Sequence, residues 1–279
     1  MNRTRPPAPP LTLLYTPADR PDRVAKALAG DADVVLVDLE DAVAPAHKGR
    51  ARTEAVRLLS RVNRPVQVRL NHPDTPWHTG DVAALAELPA HVGVRVPKVE
   101  TPDQVRTLAA LLPGRELHLL IESALGVERA FDLAGAAPAV ASIALGEADL
   151  RSDLRVSDDT GLTWARGRVV VAARAAGLPP PTMSAHPHVR DPEGLAASCA
   201  VGRDLGFCGR TAIHPAQLPV IREAFLPTQG EVDRAREVVQ KVTEAELAGV
   251  GAIALADGTF LDRAMLDQAR AVLTLVATD

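Results

Sequence analysis

Eight short apolar runs recur along the chain, and a longer segment with apolar residues at helical spacing follows each of them. Short runs rich in Val, Leu and Ile are typical of buried strands, and apolar residues three and four apart are typical of packed helices. Apolar strands that alternate with helices form parallel sheets covered by helices. Eight repeats predict closure into a (β/α)8 barrel, with additional C-terminal helices after it. The predicted strands begin at Leu11, Asp33, Pro65, Gly93, Leu117, Ser142, Pro181 and Cys208.

The length of the chain fits one barrel with short extensions. Such barrels commonly have about 250 residues, and this chain has 279 with 47% hydrophobic residues. Residues 1–10 contain four prolines and no apolar periodicity, which predicts a disordered tail. We assign residues 11–225 to the barrel and residues 226–279 to a helical extension. The first strand is not followed by G-x-G-x-x-G, which argues against a dinucleotide-binding fold.

Charge and hydropathy exclude several classes of partner. The formal net charge is -4, with 35 acidic and 31 basic residues, so the chain has no general attraction to nucleic acid. Its apolar stretches are shorter than the roughly 20 residues of a membrane span. The N-terminal residues lack the apolar core of a secretory signal. These features predict a cytoplasmic protein that binds neither nucleic acid nor membrane.

Polar side chains stand at the carboxyl ends of nearly all the predicted strands. Active sites of (β/α)8 barrels lie at this end. A single charge there is as typical of a solvated rim as of a site, but convergence from many strands favours a site. Asp38 and Glu40 are two residues apart and therefore lie on the same side of their strand. The polar residues at the predicted strand ends are Asp38, Glu40, Asp41, Arg69, Asn71, Lys98, Glu122, Glu147, Asp149, His186 and His214.

Glu122 and Asp149 are separated by about one strand-helix repeat, which predicts that they project from adjacent strands into one space. Two carboxylates that leave other positions to water and substrate oxygens are typical of Mg²⁺ sites. Zinc is disfavoured because no Cys or His is placed to complete a tetrahedral set. Glu147 competes with Asp149 as the second ligand, or it holds backbone or a basic side chain. His186 and His214 each precede a proline, which favours structural hydrogen-bonding roles.

Several ordered motifs resemble the citrate lyase β-subunit and malyl-CoA lyase family. The resemblance extends from residue 11 to about residue 275. It implies a (β/α)8 barrel of the phosphoenolpyruvate/pyruvate type. Two positions depart from the family pattern: Ala18 replaces a common glycine, and Phe260-Leu261-Asp262 replaces Met-Ile-Asp. The motifs, in order, are LYTPADRPDRVAKAL, DVVLVDLEDAVAPAHK, VRLN with DTPW, VPKVET, LIES with GV, LGEADL and AIHPAQ.

The resemblance also implies a role for each matching residue. Glu122 and Asp149 resemble the two Mg²⁺ ligands, and Arg69 resembles the arginine that grips the substrate carboxylate. The remaining implied roles are coenzyme A phosphate binding for Arg20 and Lys26, a wall of the thioester pocket for Tyr15, a supporting acidic shell for Asp38 and Glu40, and a carboxylate that reaches a neighbouring subunit for Asp262.

The family reaction is Mg²⁺-dependent cleavage of a 3-hydroxy-acyl thioester, of citryl, citramalyl or malyl type, into a 2-oxo acid and a shorter acyl thioester. Asp262 is predicted to transfer a proton at the acyl carbon. The base for the hydroxyl stays open between Glu40, a metal-bound hydroxide and another acid. The alternatives are a malyl-CoA thioesterase, a malate-synthase-like condensation and a non-catalytic subunit. The resemblance implies a homotrimer. It also implies a thioester carried either by free CoA or by an acyl carrier protein. An acyl carrier protein would come with a citrate lyase α subunit as a further partner.

Overall fold

The computed structural model describes residues 9–247, 253–254, 260–261 and 263–276. Within these residues the central element is a parallel sheet of seven strands in the order β6-β5-β4-β3-β2-β1-β7. Each of the first five strands is hydrogen-bonded to the next strand in the chain, as repeated strand-helix units require, and β7 pairs with β1. The strands are β1 (Thr12–Pro17), β2 (Val34–Asp38), β3 (Val66–Arg69), β4 (Gly93–Val96), β5 (Leu117–Ile121), β6 (Val140–Leu145) and β7 (Arg210–Ala212).

The predicted closed barrel of eight strands is confirmed only as a curled parallel α/β sheet of seven strands. The segment from Pro181 contributes one isolated parallel bridge, between Met183 and Arg210, in place of a full strand. The Glu147 amide, which follows β6, donates to the Ser184 hydroxyl of this segment at 3.3 Å. Three prolines, at residues 179–181, precede Met183, and prolines cannot donate ladder hydrogen bonds. The seventh predicted strand therefore lies beside β7 without forming a continuous ladder of hydrogen bonds.

Helices follow the strands largely where helical spacing predicts them. Helix α7, which begins at Glu147 directly after β6, was not predicted. The strand therefore ends at Leu145, and Glu147 and Asp149 lie in the first helical turn. The helices are α1 (Pro21–Leu28), α2 (Lys48–Leu59), α3 (His78–Ala86), α4 (Pro102–Leu111), α5 (Ala124–Glu128), α6 (Ala130–Ala134), α7 (Glu147–Leu154), α8 (Thr163–Ala175), α9 (Pro192–Asp204), α10 (Leu218–Phe225), α11 (Gln229–Leu247) and α12 (Arg263–Val276).

The strands are buried on both faces, as a sheet covered by helices requires. All five residues of β2 and all four of β4 are buried. One face packs against the helices and the other lines the interior of the curl. Because register partners on neighbouring parallel strands face the same side, the pairs Asp38↔Arg69 and Arg69↔Arg95 share one face. The interior therefore carries charge close to the carboxyl ends of the strands.

The chain divides into two compact units, and the sheet belongs to the unit Pro9–Arg222. In the other unit, α11 packs on α12 through a cluster that includes Val238, Val242 and Leu266. Two short antiparallel strands, β8 (Ile253–Ala254) and β9 (Phe260–Leu261), also lie there. The predicted tail falls mainly on residues outside the described ranges, and the predicted domain division stays a prediction. No helix in the described ranges has both the length and the apolar character needed to cross a membrane.

Candidate active site

Asp38 and Arg69 form a buried ion pair at the edge of the sheet where the carboxyl ends of the strands meet. We call this edge the mouth of the sheet. Asp38 is the last residue of β2 and Arg69 the last of β3, and the two are register partners. Arg69 donates from Nε to Asp38 Oδ1 at 2.7 Å and from Nη2 to Oδ2 at 2.6 Å. Burial alone would lower the pKa of Arg69, but its hydrogen bonds and charge interaction with Asp38 hold that pKa well above its usual value. Asp38 therefore occupies the two donors of Arg69 that were expected to bind the substrate carboxylate.

Glu40 and Lys98 continue the chain of charges across the mouth. Lys98 Nζ lies 3.1 Å from Glu40 Oε1 and 3.6 Å from Asp149 Oδ1. Arg69 Nη1 is 3.0 Å from Glu40 Oε2, but its N–H is not directed at this oxygen, which has no hydrogen-bond partner. Burial raises the pKa of Glu40. The structure thus brings three of the predicted acids, Asp38, Glu40 and Asp149, around two cations.

Glu122 is a buried acid at the end of β5. It directly follows β5, is only 3% exposed, and its Oε2 has no hydrogen-bond partner. Burial raises its pKa to about 8, with further contributions from the negative charges of Glu40 and Asp149. Gly146 makes room for this side chain, since a Cβ there would lie 2.4 Å from Glu122 Cγ. A buried carboxylate with an unsatisfied oxygen beside two other acids fits a cation.

Glu147, the alternative to Asp149 as a metal ligand, forms an ion pair with an arginine. Arg166 on α8 donates from Nε and Nη2 to its two oxygens at 2.8 and 2.7 Å, and both side chains are buried. The alternative in which Glu147 holds a basic side chain is thus the one that the structure shows. Asp149, in the same helical turn, has a side chain that is 41% exposed and faces Lys98. Negative charge is favourable at a helix N-terminus.

The two histidines lie at the rim in mainly structural settings. His214 Nδ1 accepts from the Ala216 amide at 3.1 Å and caps a short 3-10 helix. The backbone carbonyl of His186 accepts from Gln217 at 3.0 Å. The His186 ring is partly buried, and its Nε2 lies 4.0 Å from Asp191. The His214 ring therefore has the predicted structural hydrogen bond, whereas His186 Nε2 is buried without a hydrogen-bond partner among the described residues.

A groove of about 650 Å³ adjoins the mouth and contains two of the three residues predicted to bind coenzyme A. Tyr15 and Lys26 line it, together with Arg23. The Tyr15 ring also lies against Arg69, whose Cζ is 4.9 Å from the ring centroid, and burial raises the pKa of its hydroxyl. Tyr15 therefore separates the groove from the ion pairs of the mouth. Arg20 is exposed beside Asp22 and does not line the groove.

Sequence reasoning missed two features of the mouth. It noted Lys98 at a strand end without assigning a role, although Lys98 lies between two acids and has a left-handed backbone with φ of 51°. It overlooked Arg95, whose signal was a charge in the middle of the buried run GVRVP. Asp262, the predicted proton donor, lies outside the described residues. The described residues contain no group of three or more Asp, Glu, His or Cys that could hold a metal, and the metal site of Glu122 and Asp149 stays a prediction.

The fold and the mouth define a class: parallel α/β proteins that gather acids and an arginine at the carboxyl ends of their strands. Residues 11–215 match the model of the HpcH/HpaI aldolase/citrate lyase family. The chain belongs to this family, and the resemblance identified from its motifs is confirmed.

Similar proteins include lyase subunits and a thioesterase. The (3S)-malyl-CoA thioesterase of Cereibacter sphaeroides (strain ATCC 17025 / ATH 2.4.3) is 36% identical over 94% of this chain and 93% of its own. The citrate lyase subunit beta of Leuconostoc mesenteroides subsp. cremoris is 32% identical over 95% of this chain and 92% of its own. The crystal structure of protein CitE from Mycobacterium tuberculosis in complex with magnesium, acetoacetate and coenzyme A is 33% identical. It has a TM-score of 0.83 and covers 97% of this chain and 98% of its own.

Proposed function

We propose that this protein is a Mg²⁺-dependent carbon-carbon lyase that cleaves a 3-hydroxy-acyl thioester into a 2-oxo acid and a shorter acyl thioester. The observation that carries the proposal is the buried carboxylate of Glu122, with an unsatisfied oxygen, beside Asp149 and the Asp38–Arg69 pair. The similarity to a citrate lyase subunit and to a structure that contains magnesium and coenzyme A supports it. The finer fold assignment, a phosphoenolpyruvate/pyruvate-type (β/α)8 barrel, belongs to the same proposal.

Glu122 and Asp149 would hold the metal. A divalent cation would satisfy Glu122 Oε2 and favour ionisation of a group whose pKa burial raises to about 8. The half-exposed side chain of Asp149 leaves room for water and substrate oxygens, which Mg²⁺ commonly retains. When bound, Mg²⁺ acts as a Lewis acid on substrate oxygens and as a template for their orientation.

Arg69 and Glu40 would act on the substrate directly. Asp38 engages Nε and Nη2 of Arg69, and Nη1 donates one hydrogen bond to Asp41 at 3.3 Å, so the second N–H of Nη1 is the donor that can bind a substrate carboxylate. Glu40 has an oxygen without a hydrogen-bond partner, and burial raises its pKa, towards the range suited to a base at neutral pH. We assign to Glu40 the removal of the hydroxyl proton. Asp38 fixes Arg69.

The bond changes balance without a further reactant. Glu40 takes the hydroxyl proton, the hydroxyl carbon becomes a carbonyl, and the adjacent carbon-carbon bond breaks. Its electron pair passes to the acyl fragment as the enolate of the thioester. Protonation of that carbon completes the reaction, and we assign this step to Asp262 on the family resemblance. In reverse, the same groups would condense an acyl thioester with a 2-oxo acid.

The thioester carrier would occupy the groove beside Tyr15, with Lys26 at its rim. Free CoA and an acyl carrier protein present the same thioester chemistry, and we propose free CoA for the isolated chain. A requirement for an α subunit and an acyl carrier protein would instead assign the chain to a citrate lyase complex. The homotrimer implied by the family resemblance belongs to this proposal, and sedimentation of the purified protein tests it.

The decisive experiment assays 2-oxo acid release from citryl-, citramalyl- and malyl-CoA, with Mg²⁺ and with EDTA. We expect release that depends on Mg²⁺, and its loss in Asp149→Asn with little change in thermal unfolding. Asp153→Asn is the matched control, because Asp153 lies on the same helix but accepts from the Ala124 amide at 2.7 Å. Absence of release from all three thioesters by the folded, Mg²⁺-bound protein would refute the proposal.

A second candidate is a malyl-CoA thioesterase, which the 36% identity to a (3S)-malyl-CoA thioesterase favours. The same mouth would then direct water to the thioester carbonyl. The two functions differ in their products from malyl-CoA, because the lyase releases glyoxylate and the thioesterase releases malate. Quantifying both acids separates them.

A further inference from the structure

Arg95 is a buried arginine next to the mouth. It lies in the middle of β4, is 2% exposed, and has Arg69 on β3 and His118 on β5 as register partners. Register partners on parallel strands face the same side of the sheet, so Arg95 faces the interior together with Arg69. Its charge interacts with those of Tyr15 and Glu122, two residues of the mouth.

The charge of Arg95 is unmatched within the described residues. Its Nε donates to Gln67 Oε1 at 3.1 Å, and the described part of the chain offers no acid in an ion pair with it. Arg69, its neighbour, is matched by Asp38. Burial lowers the pKa of Arg95, and the nearby Tyr15 and Glu122 oppose this only in part. Among the described residues, this guanidinium therefore has no carboxylate in direct contact, although the charge of Glu122 acts on it.

The other buried arginines of the described chain each have more hydrogen-bond partners than Arg95, and Arg210 donates to the Ser184 carbonyl at 2.9 Å and to Cys199 Sγ at 3.5 Å. Arg166 has a bidentate carboxylate partner in Glu147. Arg115 donates to the backbone carbonyls of Leu88, Pro89 and Val92. An arginine that only stabilises the fold is expected to be satisfied in one of these ways, because a buried unpaired charge is costly. The Nη groups of Arg95 have no such partner in the described part of the chain.

We propose that Arg95 is a specificity-determining residue that binds the second carboxylate of a dicarboxylic 2-oxo acid. This inference rests on the proposed function. The oxo end of the product would lie at Glu122, Asp149 and Arg69, while the planar fork of Arg95 receives the remote carboxylate in two parallel hydrogen bonds. A 2-oxo acid with one carboxylate leaves Arg95 unmatched. The protein would thus prefer thioesters that release a dicarboxylic oxo acid, the citryl type, over the citramalyl and malyl types.

The test compares oxaloacetate, which has two carboxylates, with pyruvate, which has one, by calorimetric titration of the Mg²⁺-loaded protein. Charge-assisted hydrogen bonds of this kind correspond to about 10- to 100-fold in affinity, so the protein should bind oxaloacetate tighter by that factor. Arg95→Met should bring the two affinities within about threefold of each other. Arg115→Met is the matched control, since it removes a buried arginine with satisfied hydrogen bonds and should keep the preference.

Thermal unfolding provides a second, independent readout. Because Arg95→Met removes an unmatched buried charge, it should unfold at no lower temperature than the original protein, whereas Arg115→Met should unfold at a lower one. If Arg95→Met does not fold, Arg95→Lys takes its place in the test. Lysine keeps the positive charge but lacks the planar guanidinium, so this variant should lower the preference for oxaloacetate at least about threefold.

A folded Arg95 variant that keeps the full preference, or an original protein that binds both acids equally, overturns this inference and leaves the lyase proposal standing. If the original protein binds neither acid in a Mg²⁺-dependent manner, both the inference and the proposed function fail.

Discussion

Replacing Gly146 by alanine tests whether the position of the Glu122 carboxylate controls the site. The added Cβ would lie 2.4 Å from Glu122 Cγ, 2.6 Å from Cδ and 2.8 Å from Oε1, whereas ordinary contact begins near 3.4 Å. Gly146 has φ of -97° and ψ of 85°, which is outside the left-handed region, so alanine imposes no left-handed strain. The clash with Glu122 is therefore the main expected effect.

The displacement can be worked from these distances. The Gly146 amide donates to the Ile121 carbonyl at 3.0 Å, which fixes the backbone, so the carboxylate must move by about 1 Å to reach ordinary contact. A misplacement of about 1 Å at a reacting site costs on the order of 100-fold in rate, and we expect a loss of similar size in Mg²⁺ affinity, equivalent to about 2.8 kcal/mol. Unfolding should change little, because Glu122 can swing into the mouth.

Calorimetric titration with Mg²⁺ and the rate of 2-oxo acid release measure the two effects. Gly49→Ala is the matched control, because a Cβ at Gly49 meets nothing within 4 Å. This control should keep Mg²⁺ affinity and gain up to about 1 kcal/mol of stability from helix propensity. If Gly146→Ala binds Mg²⁺ and turns over as the original protein does, the reasoning about Glu122 is refuted.

Two further substitutions test the electrostatics. Glu122 has a pKa raised from 4.5 to about 8 in the folded state, so its contribution to stability is complete below pH 4.5 and is lost as the pH rises through 8. In EDTA, the melting temperature of Glu122→Gln should therefore rise relative to the original protein between pH 5 and pH 9, and a constant difference would contradict the assigned burial. Arg166→Met leaves buried Glu147 unpaired and should cost about 3–5 kcal/mol in urea unfolding. By contrast, Arg57→Met should cost less than about 1 kcal/mol, because it breaks only the exposed pair with Glu54, and equal losses would disprove the ranking.

The alternation of apolar strands and helices predicted most of the fold. Strand positions such as Val34–Asp38 and Leu117–Ile121 follow from continuous apolar runs that need burial on both faces. The failure at Met183 has a local cause, since the prolines before it cannot complete a ladder. The helix at Glu147 was missed because its acidic first turn resembles the end of a strand in a single sequence.

The residues that lie at the site were easier to predict from the sequence than the ion pairs that they form. Strand-end spacing brought Glu40, Glu122 and Asp149 together correctly, because the carboxyl ends of parallel strands meet at one edge. Pairing depends on side-chain directions that spacing does not specify, so the engagement of Arg69 by Asp38 could not be foreseen. Arg95 was overlooked because a single charge within an apolar run gives no indication of its partners.

The backbone at Lys98 shows how the demands of function and folding diverge in this chain. A left-handed φ of 51° is costly for a residue with a Cβ, and a design procedure that optimises stability alone would choose glycine there. That choice would remove the ammonium group that separates Glu40 from Asp149. Stabilised versions of this protein should therefore be designed with position 98 held fixed.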